Sequence, residues 1–138
     1  MKAIKIDVET CEVYYIDLDY KDYRSIYPAI GNGCNLFSIP VSYENGDGLY
    51  VDDEGLMHPE IVGYFTMKGW EYPIAGNAII LGSDEEGESK DCKTDIEDIR
   101  KQVIFIKRNH DKTIEIVMFA PQSSRIAHIA GMADPSAN

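Results

Sequence analysis

Hydrophobic and polar positions alternate from the first residues: Ile4, Ile6 and Val8 are separated by Lys5 and Asp7, the period of a strand with one wet face. Val13-Tyr14-Tyr15-Ile16-Asp17-Leu18 follows the polar turn Glu9-Thr10-Cys11-Glu12, so the two runs predict an amino-terminal hairpin. The period then changes. Tyr23, Ile26, Tyr27 and Ile30 fall at helical spacing and Gly31 supplies a stop, with Pro28 restricting the helix to a short or kinked one. Leu36-Phe37-Ser38-Ile39-Pro40-Val41 predicts a strand whose proline points to an edge or a strand end. Asn45-Gly46 is a tight-turn signal that folds this strand back onto Leu49-Tyr50-Val51.

The pattern weakens after residue 56. Ile61-Val62-Gly63-Tyr64-Phe65 reads either as a strand or as a short irregular element, and Lys68-Gly69-Trp70-Glu71-Tyr72-Pro73 as an exposed loop. Ala78 to Leu81 is an unbroken apolar run, the mark of a buried strand. Thr94-Asp95-Ile96-Glu97 has the form of a capping box, with Thr94 as cap and Glu97 reaching back, and opens a helix running to about Lys101. Val103-Ile104-Phe105-Ile106 and Ile114-Glu115-Ile116-Val117-Met118-Phe119 predict a hairpin around Asn109-His110-Asp111. The fold class that follows is α+β, a mainly antiparallel sheet with two short helices in one compact domain over residues 1–120. Residues 121–138 form a small polar tail, from which Ile126 to Met132 is expected to dock as a fragment of helix.

Two stretches organise the middle of the chain. Gly46-Asp47-Gly48-Leu49-Tyr50-Val51-Asp52-Asp53-Glu54-Gly55-Leu56 is echoed by Ala78-Ile79-Ile80-Leu81-Gly82-Ser83-Asp84-Glu85-Glu86-Gly87. In each, a short apolar run empties into carboxylates closed by glycine, which predicts a strand ending in an acidic turn. The order Tyr50-Val51-Asp52-Asp53-Glu54-Gly55-Leu56, Pro73-Ile74-Ala75-Gly76-Asn77-Ala78, Gly82-Ser83-Asp84-Glu85-Glu86-Gly87-Glu88 resembles a family of small uncharacterised proteins of bacteria, phages and mobile elements. The resemblance runs from the first hairpin to the Thr94 helix. It implies a domain of unknown function in a phage or mobile-element context, acting in a bacterial cytosol, and it carries over no catalytic residue, cofactor or ligand.

Charge sharpens this picture. The formal net charge is −11, and residues 84–98 hold eight acids against Lys90 and Lys93, whereas from Ile99 onward six basic residues face three acids. Such a field repels phosphate backbones, which argues against direct nucleic-acid binding. The plain reading of the run is a solvated acidic loop that keeps the protein soluble. No run approaches the roughly 18 apolar residues of a membrane span, and the amino terminus lacks a signal-peptide core. Cys11, Cys34 and Cys92 are odd in number and widely spaced, which suggests reduced thiols in a reducing compartment rather than a metal site. A cytoplasmic location without cofactor or membrane is therefore expected.

Asp52, Asp53 and Glu54 have the oxygen chemistry for Mg²⁺ or Ca²⁺, yet adjacent side chains on extended backbone point apart, so a turn with Gly55 at positive φ is the better expectation. Asp84, Glu85, Glu86 and Glu88 are weaker metal candidates still. Gly76 invites a close approach of ligand or backbone, and Asn77 offers a donor and an acceptor together, although an ordinary turn before a strand explains both. Gly31-Asn32-Gly33 lacks the ending of a phosphate loop. Trp70 and Tyr72 are either surface anchors, suited to an interface or to stacking on a base, or pieces of the core. His58, His110 and His128 form no recognisable triad, and no hydrolase or nucleotide signature is present.

The expectation is thus a non-enzymatic protein that binds and inhibits a host protein, a defence protein among the candidates. Its contacts would be Trp70, Tyr72, Asn77, Glu85, Glu86 and Glu88, in one version with carboxylates mimicking DNA phosphates. The alternatives are sequestration of a small nucleotide signal and a metal-dependent hydrolase built on Asp52, Asp53 or Glu54.

Overall fold

In the computed structural model, residues 1–19, 23–31, 33–58, 61–109, 111, 113–119 and 126–128 are described. Their hydrogen bonds make two antiparallel sheets. Sheet A runs β2 (Glu12–Asp17), β1 (Lys2–Asp7), β7 (Ala78–Ser83), β4 (Asp47–Asp52), β3 (Phe37–Ser42), with β8 (Ser89–Lys90) also pairing β7. Sheet B runs β11 (Ile126–His128), β10 (Ile114–Phe119), β9 (Val103–Arg108), β5 (Gly63–Met67), β6 (Ile74–Ala75). Helices α1 (Tyr23–Ile30) and α2 (Ile96–Gln102) complete a single mixed α+β domain.

Strand parity explains the layers. In β1, Ile4 and Ile6 enter a larger core while Ala3 enters a smaller one; in β7, Ala78 and Ile80 take the first and Ile79 and Leu81 the second. The larger core lies between the sheets, joining these residues to Phe65, Met67, Val103, Phe105 and Val117 of sheet B and to Ile96 and Ile99 of α2. The smaller core lies on the far face of sheet A, beneath Ile26 and Ile30 of α1. The central strand β7 is therefore covered on both faces, which is why its sequence is apolar without alternation. Each fully buried isoleucine there stabilises the fold by about 2 kcal/mol relative to exposure.

The predicted hairpins form: β1 with β2, β3 with β4, β9 with β10. β3 is an edge strand, and its register shifts between Ser38 and Val41, around Pro40. Within residues 61–65 the strand reading holds from Gly63, where β5 begins, and Gly31 ends α1 at φ 77° with its N–H bonded to the Tyr27 carbonyl.

Three local expectations are corrected. The N-cap of α2 is Asp95, whose carboxylate accepts the Glu97 N–H; Thr94 instead gives its hydroxyl proton to Asp47 at 2.6 Å. A charged acceptor brought in from β4 outcompetes the local cap. Gly55 does not adopt positive φ. It opens a 3-10 turn, Gly55–Met57, and a Cβ there would lie 2.6 Å from the Ala75 carbonyl oxygen, so glycine is required by close packing. Residues 126–128, expected to be helical, form strand β11 against β10, because the unpaired edge of β10 offers backbone partners that a lone helical turn lacks; residues 129–132 lie outside the described residues.

Candidate functional site

Asn77 sits in the turn between β6 and β7, buried, with both ends of its amide engaged. Its Oδ1 accepts the Val8 N–H at 2.8 Å and its Nδ2 donates to the Ile30 carbonyl at 2.9 Å. The donor and acceptor anticipated for a ligand thus tie the end of β1 to the end of α1. A Cβ added at Gly76, where φ is 90°, would meet no atom within 4 Å, so conformation, not close approach, selects glycine there.

The first acidic turn divides its carboxylates as the alternation of an extended chain requires. Asp52 is buried; its Oδ1 accepts the Glu54 N–H and its Oδ2 lies 2.6 Å from His58 Nε2. Asp53 is exposed, and its N–H donates to the Leu36 carbonyl. The second turn converges instead. Asp84 accepts the N–H groups of Glu86 and Glu88, and oxygens of Asp84, Glu86 and Glu88 come within 4.8 Å of one another. Among the described residues this is the one group of three or more ligand-type side chains so close, and Glu86 and Glu88 are exposed. The Glu88 N–H hydrogen-bonded to Asp84 holds its carboxyl below the usual range, with help from the Glu86 N–H and from Lys90 at 3.7 Å. Glu85 is exposed beside the group and outside it.

Trp70 and Tyr72 part company. The Trp70 ring leans on Phe65, with centroids 5.8 Å apart, at the margin of the larger core. Tyr72 is 76% exposed. It adjoins a feature that sequence patterning missed. Leu56 and Met57, on the 3-10 turn, are 70% and 77% exposed, and they line an open groove of about 390 Å³ with Pro40, Pro73, Ile74 and Asp53. Two adjacent apolar residues directly after a carboxylate cluster were the available signal, since such a turn has no core to face. The groove runs from edge strand β3 to edge strand β6. Pro40 and the register shift remove the even ladder an incoming strand would need, so the groove is suited to side chains.

A larger cavity of about 620 Å³ is lined by Asp47, Asp84, Asp91, Lys90 and Lys93 among others. The Asp47 carboxylate is already engaged: its Oδ2 accepts the N–H groups of Lys93 and Thr94 and the Thr94 hydroxyl. The thiols Cys11, Cys34 and Cys92 are buried, and burial pushes all three pKa values up, which makes them poor nucleophiles at neutral pH.

Burial, then the hydrogen bond its hydroxyl donates to Asp7 at 2.7 Å, pushes the Tyr14 pKa up to about 12. A folded-state pKa above the unfolded one, near 10, means stability that is complete below about pH 10 and lost as pH climbs toward 12. The midpoint of urea unfolding should therefore fall across that window in the wild type and fall less in Tyr14→Phe. Parallel curves for the two proteins would refute the assignment.

No helix among the described residues is long and apolar enough to cross a membrane. No protein-family model, curated protein or solved structure matches the chain.

Proposed function

We propose that this is a non-enzymatic binding module of phage or mobile-element origin that docks on a host protein in the bacterial cytoplasm and inhibits it, a defence protein being one candidate target. The observation that carries the reading is the groove of Leu56, Met57 and Pro73 beside exposed Tyr72, with Asp53 on its wall. Adjacent exposed apolar side chains around a concavity mark interaction sites. A partner of matching chemistry has an apolar knob ringed by lysine or arginine, drawn in by the −11 field. Contacts with Glu85, Glu86 and Glu88 would add steering, and those with Tyr72 and Met57 would hold the complex. Trp70 serves this reading by supporting its loop against Phe65.

Pull-down from bacterial lysate should recover a partner that Met57→Asp and Tyr72→Ala lose. Tyr72→Ala should cost about 2 kcal/mol, near thirtyfold in Kd, mainly through faster dissociation. Charge reversal at Glu85, Glu86 and Glu88 should slow association and flatten its salt dependence. Added protein should also lower the partner's activity. A captured protein indifferent to all of these substitutions would end the proposal.

The sequestration reading meets a cavity whose lining includes Asp84 and Asp91 and an Asn77 whose amide is spent; an ultraviolet-absorbing molecule co-purifying with the protein would revive it. The metal-dependent hydrolase reading draws on the convergence of Asp84, Glu86 and Glu88 rather than on Asp52, Asp53 and Glu54.

A further inference from the structure

The main chain of β2 has two edges, and β1 occupies one of them. Met1 and Leu18 exchange both backbone bonds, the Met1 ammonium giving to the Leu18 carbonyl at 2.7 Å and the Leu18 N–H to the Met1 carbonyl at 2.8 Å. In an antiparallel pair such doubly bonded partners alternate with partners that share no bond. The register continues the bonded set through Ala3 with Ile16, Lys5 with Tyr14 and Asp7 with Glu12. The peptide groups of Val13, Tyr15 and Asp17 therefore point away from β1. Arg100 marks the same direction, since its Nε and Nη2 both donate to the Val13 carbonyl, at 3.1 and 2.7 Å. Beyond Val13 the row is open. Sheet A ends at β2, and among the described residues no backbone group bonds the outward N–H or carbonyl of Tyr15 or Asp17.

The other strand edges of the described residues suit an incoming strand poorly. β3 is broken at Pro40 and its register shift, and β6, β8 and β11 are two, two and three residues long. β2 keeps six residues in unbroken register with β1 and contains no proline, bulge or lysine. Edges are guarded by such features, by charge or by a cover; here the cover is the Arg100 fork at Val13, and the charges are Glu12 and Asp17, both exposed. A guard made of carboxylates is selective. Together with the net charge of −11 it turns away an acidic strand, a second copy of this chain included, and admits a basic one. Arg100 adds little opposing charge, because its Nη1 pairs with Glu97 at 2.8 Å. Lys2 holds its Nζ 4.8 Å over the Tyr15 ring, and Asp17, paired with the Met1 ammonium, still has a side chain 90% exposed. Tyr15 itself is 43% exposed, a flat side chain for an aromatic or β-branched residue across the pair. We propose that the outward edge of β2 is a strand acceptor: it binds an extended, lysine- or arginine-bearing segment of another protein through main-chain hydrogen bonds to Tyr15 and Asp17. This edge lies across sheet A from β3 and its groove, and stands or falls apart from docking there.

A capped seven-residue peptide alternating lysine and valine is the probe. Added to the full chain, it should shift the Tyr15 and Asp17 amide resonances and, at saturation, slow hydrogen exchange at both at least about tenfold. Salt should weaken the complex by screening the lysines. Methylating every backbone nitrogen of the peptide keeps its charges and removes its donors, and should raise Kd at least about tenfold. Replacing its lysines by glutamate should abolish binding. Tyr15→Pro removes one outward donor without breaking a bond to β1; it should lose the peptide while its circular dichroism matches the wild type. Should that variant fail to fold, the methylated peptide still decides the matter on the unaltered protein. Met57→Asp should bind the peptide normally, which keeps this edge separate from the groove. The proposal is overturned if the lysine–valine peptide does not bind, or if its methylated form binds as well. It is equally overturned by shifts that gather at Glu85, Glu86 and Glu88 or at Leu56 and Met57 instead of β2. Tyr15 and Asp17 amides already protected in the free chain would overturn it too, for then the chain's own residues cover the edge.

Discussion

Asp47→Ala is expected to lower stability by about 3 kcal/mol or more, the scale seen when a buried ionic partner is removed and its hydrogen-bond donors are left behind. Asp47 is 1% exposed, and through the Lys93 N–H, the Thr94 N–H and the Thr94 hydroxyl it fastens the start of β4 to the segment leading into α2. Removing it leaves the part-buried Lys93 and Thr94 N–H groups and the Thr94 hydroxyl without their charged acceptor. For a domain this size the melting temperature should fall by roughly 10 °C. Asp47→Asn should restore part of the loss, because all three donors converge on Oδ2 and an amide oxygen in that place still accepts them, without the charge. Thr94→Val removes one hydroxyl and should cost about 1 kcal/mol, a cost that should vanish in the Asp47→Ala background. Asp95→Ala, the loss of the true cap, should cost about 1 kcal/mol in either background. A melting temperature within a degree of wild type for Asp47→Ala would show that the latch is not formed in solution.

Asn77→Ala should be nearly as damaging, at about 2–4 kcal/mol, because the Val8 N–H and the Ile30 carbonyl both lose their partner inside the protein. Asn77→Asp keeps the acceptor for Val8 but sets a carboxylate against the Ile30 carbonyl, so it should be no better. Hydrogen exchange tells where the damage falls. Amides of α1, including the Gly31 N–H bonded to Tyr27, should lose protection ahead of those in β7. A ligand-contacting asparagine behaves differently: its alanine variant keeps wild-type stability and exchange and loses only binding. That result would return Asn77 to the binding surface.

These two residues also divide what local patterning reveals from what it hides. Asp47 and Asn77 look like ordinary turn formers, Asp47 after Asn45-Gly46 and Asn77 after Gly76. Their partners lie 46 and 69 residues away, in Lys93 and Val8, and no window along the chain contains both ends of such a bond. The same distance misled the reading of Thr94. Its spacing to Glu97 satisfies a capping box, yet a carboxylate from β4 reaches it first. Gly55 likewise suggested a backbone with positive φ, when the constraint is the Ala75 carbonyl pressed against it from β6.

The exposed apolar residues follow a similar division. Leu56, Met57 and Tyr72 are apolar or aromatic in sequence, but apolarity alone does not distinguish a core residue from an exposed one. Trp70 and Tyr72 share a loop, and only packing on Phe65 separates the supporting ring from the exposed one. The isoleucines of β9 and β10 read as ordinary hairpin residues; only the packed sheets show that, among the described residues, Ile114 and Ile116 stay exposed while Val103, Phe105 and Val117 fill the larger core.

By itself the sequence determined the α+β class, both helices, the three hairpins, the buried run of β7, the edge position of β3 and the concentration of acid between residues 84 and 98. Each of these follows from periodicity, turn chemistry or charge within about ten residues, which act before any long-range contact forms. The tertiary structure alone decided that the strands divide into two sheets, that β7 lies between β1 and β4, and that Asp52 is buried beside His58 while Asp84, Glu86 and Glu88 converge. It also decided which apolar residues remain outside. Those outcomes depend on which strands close upon which, a choice made by burying the most apolar surface across the whole chain, and burial of that kind has no local period to read.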